Sequence, residues 1–313
     1  PTYDALMEQF GVTRPTIARV LATLREQGLV SVRGTRGVFV SEKLPHDSRY
    51  FWVTSEQPGS LEWTTFLATI LELIQRGETT IEGEVVPLVG VDGRSNNPEY
   101  QRLCQVVEQQ SAAGLLVMNS AMTYQLPALE KPGLPRAAIW APLPNAGLVR
   151  LAFEELIERA CVQVLERGER IAVVSPHVEV LALTERVLAE RGATERMRLL
   201  HVTPVGCEAL ITLLFERPDR PDAVFVTDDN LVAPLLLALS RVGVRPKQEA
   251  YVLAHCNWPK PIGAAEGVEH IGFDVREVLA AAKECIDAQR AGEPSPTRLV
   301  RPRFAHELTR PIA

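Results

Sequence analysis

From residue 50 to residue 254 short apolar runs alternate with longer segments of helical periodicity, and few folds accommodate that alternation. The runs read as strands at Tyr50 to Thr54, Glu84 to Val89, Gly114 to Met118, Arg136 to Ala141, Arg170 to Val174, Arg198 to Val202, Ala223 to Thr227 and Ala250 to Ala254. Between them the periodicity predicts helices at Leu61 to Gln75, Pro98 to Gln109, Val149 to Glu166, Val180 to Glu190, Cys207 to Phe215 and Leu231 to Val242. A strand that is apolar on both faces must be covered on both faces, so the pattern implies an α/β fold of doubly wound parallel sheets. Some 260 residues are more than one sheet comfortably takes, and two lobes with a cleft between them are expected. Ligands of such folds meet the carboxyl ends of the strands.

The chain of 313 residues, 46% hydrophobic and 23% charged, is long enough to bury a large core and too apolar to be disordered. No apolar run approaches the roughly 20 residues of a membrane span; the longest, around Leu231 to Leu239, is interrupted by Pro234. The opening Pro1-Thr2-Tyr3-Asp4 lacks a signal-peptide profile, and the five cysteines share no Cys-x-x-Cys spacing, so we expect reduced thiols in a cytoplasmic protein. The net charge of −6 is unevenly placed. Residues 1 to 43 hold six basic side chains against four acidic ones, a segment at +2 attached to a body at −8. That asymmetry suits a chain in which one segment meets phosphates.

The basic segment has a pattern of its own. Thr2 caps a short helix with Leu6 and Phe10 on one face, and Gly11 ends it. Thr13 caps a second helix with Pro15 in its first turn, and Ile17, Val20, Leu21 and Leu24 form a stripe that we expect to be buried. Two helices joined this tightly cross steeply, as in a helix-turn-helix. Leu29 to Val32 and Val38 to Val40 then read as a hairpin whose tip carries Arg33 and Arg36, which makes it a wing. The runs Phe10 to Ile17, Leu24 to Leu29 and Arg36 to Val40 resemble the GntR-type winged helix-turn-helix family. The resemblance implies sequence-specific DNA binding through Thr13, Arg14, Thr16 and Arg19, with Arg33 and Arg36 reaching the minor groove or backbone. The family carries one more helix ahead of this point, whereas this sequence opens inside the second. The expected domains are therefore a DNA-binding head at 1–43 lacking the first helix, a linker at 44–49 and a two-lobed effector-binding and dimerisation domain at 50–313.

The body resembles the effector domain of the LacI/GalR family, which is periplasmic-binding-protein-like. The likeness rests on Ala112 to Val117, on Glu155 to Arg159 with Gly168 to Ser175, on Pro221 to Asn230, and on Ile271 to Asp274 through Pro296. Head and body together resemble the arabinose-repressor type of regulator. On that fold the cleft is expected to be lined by Ser55, Glu56, Asn119, Trp140, Ser175, His177, Asp228, Asp229, Asn230, His255, Asn257 and Trp258, a set with planar hydrogen-bonding groups and aromatic faces suited to a sugar. The resemblance also implies an arginine in the second lobe, for which only Arg186 stands, and an aspartate where this chain has His255-Cys256-Asn257. The function implied is a regulator, of repressor type, that binds operator DNA as a homodimer and answers to a sugar-like effector, with no cofactor, metal or membrane. A solute-binding or sensor protein with a non-functional head is the alternative. An enzyme is disfavoured: His177-Val178-Glu179 has no Pro-Cys-x-x-Cys beside it, no phosphate loop or nucleophile elbow occurs, and Asp228-Asp229 reads as a helix cap.

Overall fold

The computed structural model describes residues 2–33, 37–42, 44–60, 63–118, 126–261 and 267–308. Its head contains α1 (Tyr3–Phe10), α2 (Arg14–Glu26), β1 (Val30–Val32) and β2 (Val38–Val40). The body continues with α3 (Pro45–Ser48), β3 (Arg49–Thr54), α4 (Thr65–Arg76), β4 (Glu84–Val89), α5 (Pro98–Gln109), β5 (Gly114–Met118), β6 (Arg136–Ile139), β7 (Gly147–Leu151) and α6 (Phe153–Arg167). There follow β8 (Ile171–Ser175), α7 (Val178–Ala189), β9 (Met197–His201), α8 (Pro204–Phe215), β10 (Ala223–Val226), α9 (Val232–Arg241), β11 (Tyr251–Trp258), β12 (Val268–Asp274), α10 (Val275–Arg290), β13 (Thr297–Val300) and β14 (Arg303–Phe304). Among the described residues no helix is long and apolar enough to cross a membrane.

Two six-stranded sheets form, in the orders β13-β7-β6-β5-β3-β4 and β14-β12-β11-β10-β8-β9. The pairings β3–β4, β3–β5 and β5–β6 in the first, and β8–β9, β8–β10, β10–β11 and β11–β12 in the second, are parallel, and β14 runs antiparallel to β12. The chain divides into two compact units, one of Pro1–Ser55, Ile81–Leu148 and Lys283–Pro296, the other of Glu56–Thr80, Val149–Ala282 and Thr297–Ala313. In the first, Phe51, Val53, Leu115 and Val117 pack against Leu103, Val106 and Val107 of α5. In the second, Val174, Val224, Val226 and Val252 pack against Ile211, Phe215, Leu235 and Leu239 of α8 and α9. Each such side chain contributes roughly 1.5–3 kcal/mol of transfer free energy.

Several boundaries differ from the expectation, each for a local reason. The helix expected from Val149 begins at Phe153, because Gly147–Leu151 pairs as a strand between β6 and β13. Gly147 there lies so close to Cys285 that a Cβ would stand 2.5 Å from the cysteine's own. The helix expected from Leu61 begins at Thr65, since Thr64 caps it by accepting the Leu67 N–H. The strand expected to end at Ala254 runs on to Trp258. Strands β12, β13 and β14 lie beyond the expected set. The segment expected as a linker holds the single turn α3, and Gly28 at the end of α2 packs on it: a Cβ there would lie 3.2 Å from Pro45 and from the Arg49 guanidinium. In the head, only Ile17 of the expected stripe is buried, at 6% exposure, while Val20 is 50% and Phe10 60% exposed.

Candidate functional site

In the head, the Thr2 hydroxyl accepts the Ala5 N–H at 3.2 Å, and Gly11 at φ 64° takes the left-handed conformation that closes α1. Two residues later α2 starts with Thr13 as its N-cap and Pro15 in its first turn. The Thr13 hydroxyl bonds the Thr16 hydroxyl at 3.1 Å instead of a main-chain amide. The first turn of α2 holds no acidic residue, so the positive end of the helix dipole adds to Arg14 and Arg19. Thr13, Arg14, Thr16 and Arg19 are all exposed, with the Arg14 guanidinium 5.5 Å from the centre of the Tyr3 ring. In the wing, β1 and β2 pair antiparallel with Val30 opposite Val40, and the Arg33 N–H bonds Gly37 at 3.0 Å across the tip. Arg33 lies over the Phe39 ring and pairs with Glu42 at 2.5 Å. A surface pair of this kind is worth about 0–1 kcal/mol, so a phosphate can displace the glutamate. Arg36 lies outside the described residues.

In the body the expected pocket residues fall in both units. Ser55 follows β3 in the first unit, and so does Trp140, which follows β6 with φ 88° and is 56% exposed. A bulky residue in that conformation costs on the order of 1–3 kcal/mol, which the packed strand end must supply. Asn119 lies outside the described residues. Glu56 is grouped with the second unit, as are Ser175, His177, Asp228, Asp229, Asn230, His255, Asn257 and Trp258.

Within the second unit the ends of β8, β10 and β11 bring most of these together. Asp229, 3% exposed, accepts on one oxygen both the Thr65 hydroxyl at 2.5 Å and the Asn257 amide at 2.8 Å. The same Asn257 nitrogen donates to Thr65 Oγ1 at 3.0 Å, closing a three-membered ring of side chains. Burial pushes the Asp229 carboxyl up, against the opposing pull of His255 and its two hydrogen bonds. Asp228 caps the turn that follows, accepting the Asn230 N–H at 2.8 Å, and its other oxygen lies 3.4 Å from His177 Nε2. Ser175 accepts the Thr227 hydroxyl at 2.7 Å. His255 packs beside Phe153 and Phe273, its ring centre 6.2 Å from each, while the two phenylalanine rings stack on one another at 6.3 Å. Its Nε2 is buried and has no hydrogen-bond partner among the described residues. Burial lowers the imidazole pKa despite Asp229 and Asp228 nearby, so the ring is held neutral.

One member of the expected set does other work. Trp258 is 1% exposed, with its indole N–H donating to the Arg303 carbonyl at 3.0 Å, and it packs in the core. Asn230 sits exposed on the turn that Asp228 caps. Arg186, the one stand-in for a second-lobe arginine, is paired with Glu154. Sequence reading missed Thr65, Phe153 and Phe273. The signal for the first was present in Trp63-Thr64-Thr65, a capping sequence that moves the helix start and places Thr65 in its first turn. At the opposite, amino-terminal ends of β10, β11 and β12 lies a cavity of about 400 Å³ lined by Arg167, Asp222, Lys247, Tyr251 and Glu269 among others.

Residues 1–40 match the family model described as bacterial regulatory proteins, gntR family. The body has the fold of LacI-family regulators. A LacI family regulatory protein from Chloroflexus aggregans matches with TM-score 0.61 and 16% identity over 82% of this chain and 96% of that one. A LacI family transcriptional regulator from Arthrobacter sp. FB24 in complex with lactose matches with TM-score 0.59 and 16% identity over 82% and 97%. One from Enterococcus faecium with bound ribose matches with TM-score 0.58 and 13% identity over 85% and 100%.

Proposed function

We propose that this protein is a ligand-responsive transcriptional regulator of repressor type, in which α2 and the wing bind operator DNA and a sugar-like effector binds at the carboxyl ends of the body's strands. The observation that carries the reading is one chain joining two devices. One is a gntR-type head with Thr13, Arg14, Thr16 and Arg19 exposed along the start of a helix free of acidic residues there. The other is an α/β body whose strand ends hold a buried polar ring, Thr65-Asp229-Asn257, beside a histidine nitrogen with no hydrogen-bond partner among the described residues. Lactose and ribose in two proteins of the same fold support a sugar-like effector. A single head touches few base pairs, so we assign a homodimer reading two half-sites about one helical turn or more apart. Regulation then requires the effector to favour one conformation of the body, and that conformation to space the two heads differently.

The test is fluorescence anisotropy with a labelled fragment from upstream of the protein's own gene. Arg14→Ala and Arg19→Ala each weaken binding at least tenfold while leaving the thermal transition in place. Affinity falls with salt with a log–log slope of about −0.9 per phosphate contacted. Unchanged affinity in both variants, or a flat salt dependence, refutes the assignment of the head and favours a sensor that does not bind DNA.

A further inference from the structure

A ligand at the carboxyl edge of the second sheet meets side chains whose remaining hydrogen-bonding capacity can be counted. Asn257 spends its amide nitrogen on Thr65 and Asp229, which leaves Oδ1, an acceptor. The Thr65 hydroxyl donates to Asp229 and accepts from Asn257, and so has little left to offer. Asp229 takes both of its bonds on Oδ2, which leaves Oδ1. Asp228 can only accept. Two cations of the same unit are already engaged: Lys260 pairs with Glu72, and Arg276 holds Asp274 by two bonds at 2.9 and 2.7 Å. The independent sign of a ligand is His255, whose Nε2 is buried with no hydrogen-bond partner among the described residues, beside the stacked Phe153 and Phe273 rings. A buried polar atom left in that state costs stability unless something else satisfies it.

Resting on the regulator reading above, we propose that the effector meets this edge as a hydrogen-bond donor that is neutral or cationic, its hydroxyls or ammonium group donating to Asn257 Oδ1 and Asp229, and that phosphorylated and carboxylate-bearing sugars are rejected. The surplus of acceptors demands donors from the ligand. With an effective dielectric constant near 20, an anion about 5 Å from the Asp229 carboxylate loses more than about a hundredfold in affinity. The stacked Phe153 and Phe273 rings beside His255 supply apolar surface and no compensating charge.

The experiment is isothermal titration and thermal shift on the full chain with matched sets: glucose, glucosamine, glucose 6-phosphate and glucuronate; galactose, galactosamine and galactose 6-phosphate; ribose and ribose 5-phosphate. In whichever set binds, the neutral or amino member binds at least tenfold more tightly than its phosphate or uronate. Asp229→Asn narrows that ratio at least tenfold, and where that variant fails to fold, Asp228→Asn narrows it in the same direction. A phosphate or uronate that binds as tightly as its parent overturns the inference, as does an unchanged ratio in a folded variant, or binding by no member of the sets. The operator titration above uses no ligand, so it decides the regulator reading separately.

Discussion

Replacing Thr65 by valine removes one hydroxyl from a side chain of nearly the same shape, and the structure places that hydroxyl at the centre of the polar ring. The lost group donates to Asp229 Oδ2 at 2.5 Å and accepts from Asn257 at 3.0 Å. A hydrogen bond to a charged group contributes about 1.5–3 kcal/mol. The Asn257 nitrogen keeps Asp229 as partner, so the loss falls mainly on the carboxylate, whose pKa moves further up. Thr65→Val therefore costs about 1.5–3 kcal/mol, or roughly 3–12 °C in Tm for a unit of 150–250 residues. The sharper measurement is a double-mutant cycle of Thr65→Val with Asp229→Ala, by urea denaturation followed by far-UV circular dichroism. Because the hydroxyl matters through the carboxylate, the two changes couple by about 1–3 kcal/mol, and Thr65→Val alone costs little once Asp229 is gone. Additivity within about 0.5 kcal/mol would show that the two side chains do not share a bond, and the grouping of residues 56–80 with the second unit would lose its best-defined contact.

Arg136 is 2% exposed and donates to the main-chain carbonyls of Leu129, Lys131 and Leu134. Arg136→Met leaves these without their donor and lowers stability by roughly 2–5 kcal/mol, after allowing for the relief of a buried charge; an unchanged Tm refutes this. At Gly272 a Cβ would stand 1.8 Å from the Cys256 carbonyl oxygen, so Gly272→Ala must part β11 from β12. It is expected to cost more than about 4 kcal/mol, and a soluble variant with the parent's urea midpoint contradicts the packing argument. Burial lowers the His255 pKa in the fold, so the native state binds fewer protons than the unfolded chain. Its contribution is complete above about pH 6.5 and is lost as pH falls from there through the folded value. Asp229, with its raised pKa, acts in the opposite sense, its cost relieved as pH falls through its folded value. Comparing Tm between pH 8 and pH 5 in the parent and in His255→Gln isolates the imidazole; equal slopes refute the assignment.

By itself the sequence determined the features set by short-range physics. The strand runs Glu84 to Val89 and Gly114 to Met118 and the helix Pro98 to Gln109 stand where the periodicity places them, because burial on one or both faces leaves its period in the residue types. Caps and turn residues did the same for the head: Thr2, Gly11, Thr13 and Pro15 define two helices within 26 residues. Tertiary structure decided what depends on partners distant in the chain. Gly147–Leu151 carries a helix-compatible sequence but becomes a strand because β6 and β13, distant from each other in the chain, flank it in the sheet. The candidate site shows the same division. Asp229 and Asn257 could be placed at strand ends from sequence, but Thr65 joins them from 164 and 192 residues away, and Phe153 and Phe273 pack beside His255 from a helix start and a neighbouring strand. Trp258, one position past Asn257, turns into the core because successive strand residues face opposite sides. A local pattern states what a residue needs; the fold states which distant residue supplies it.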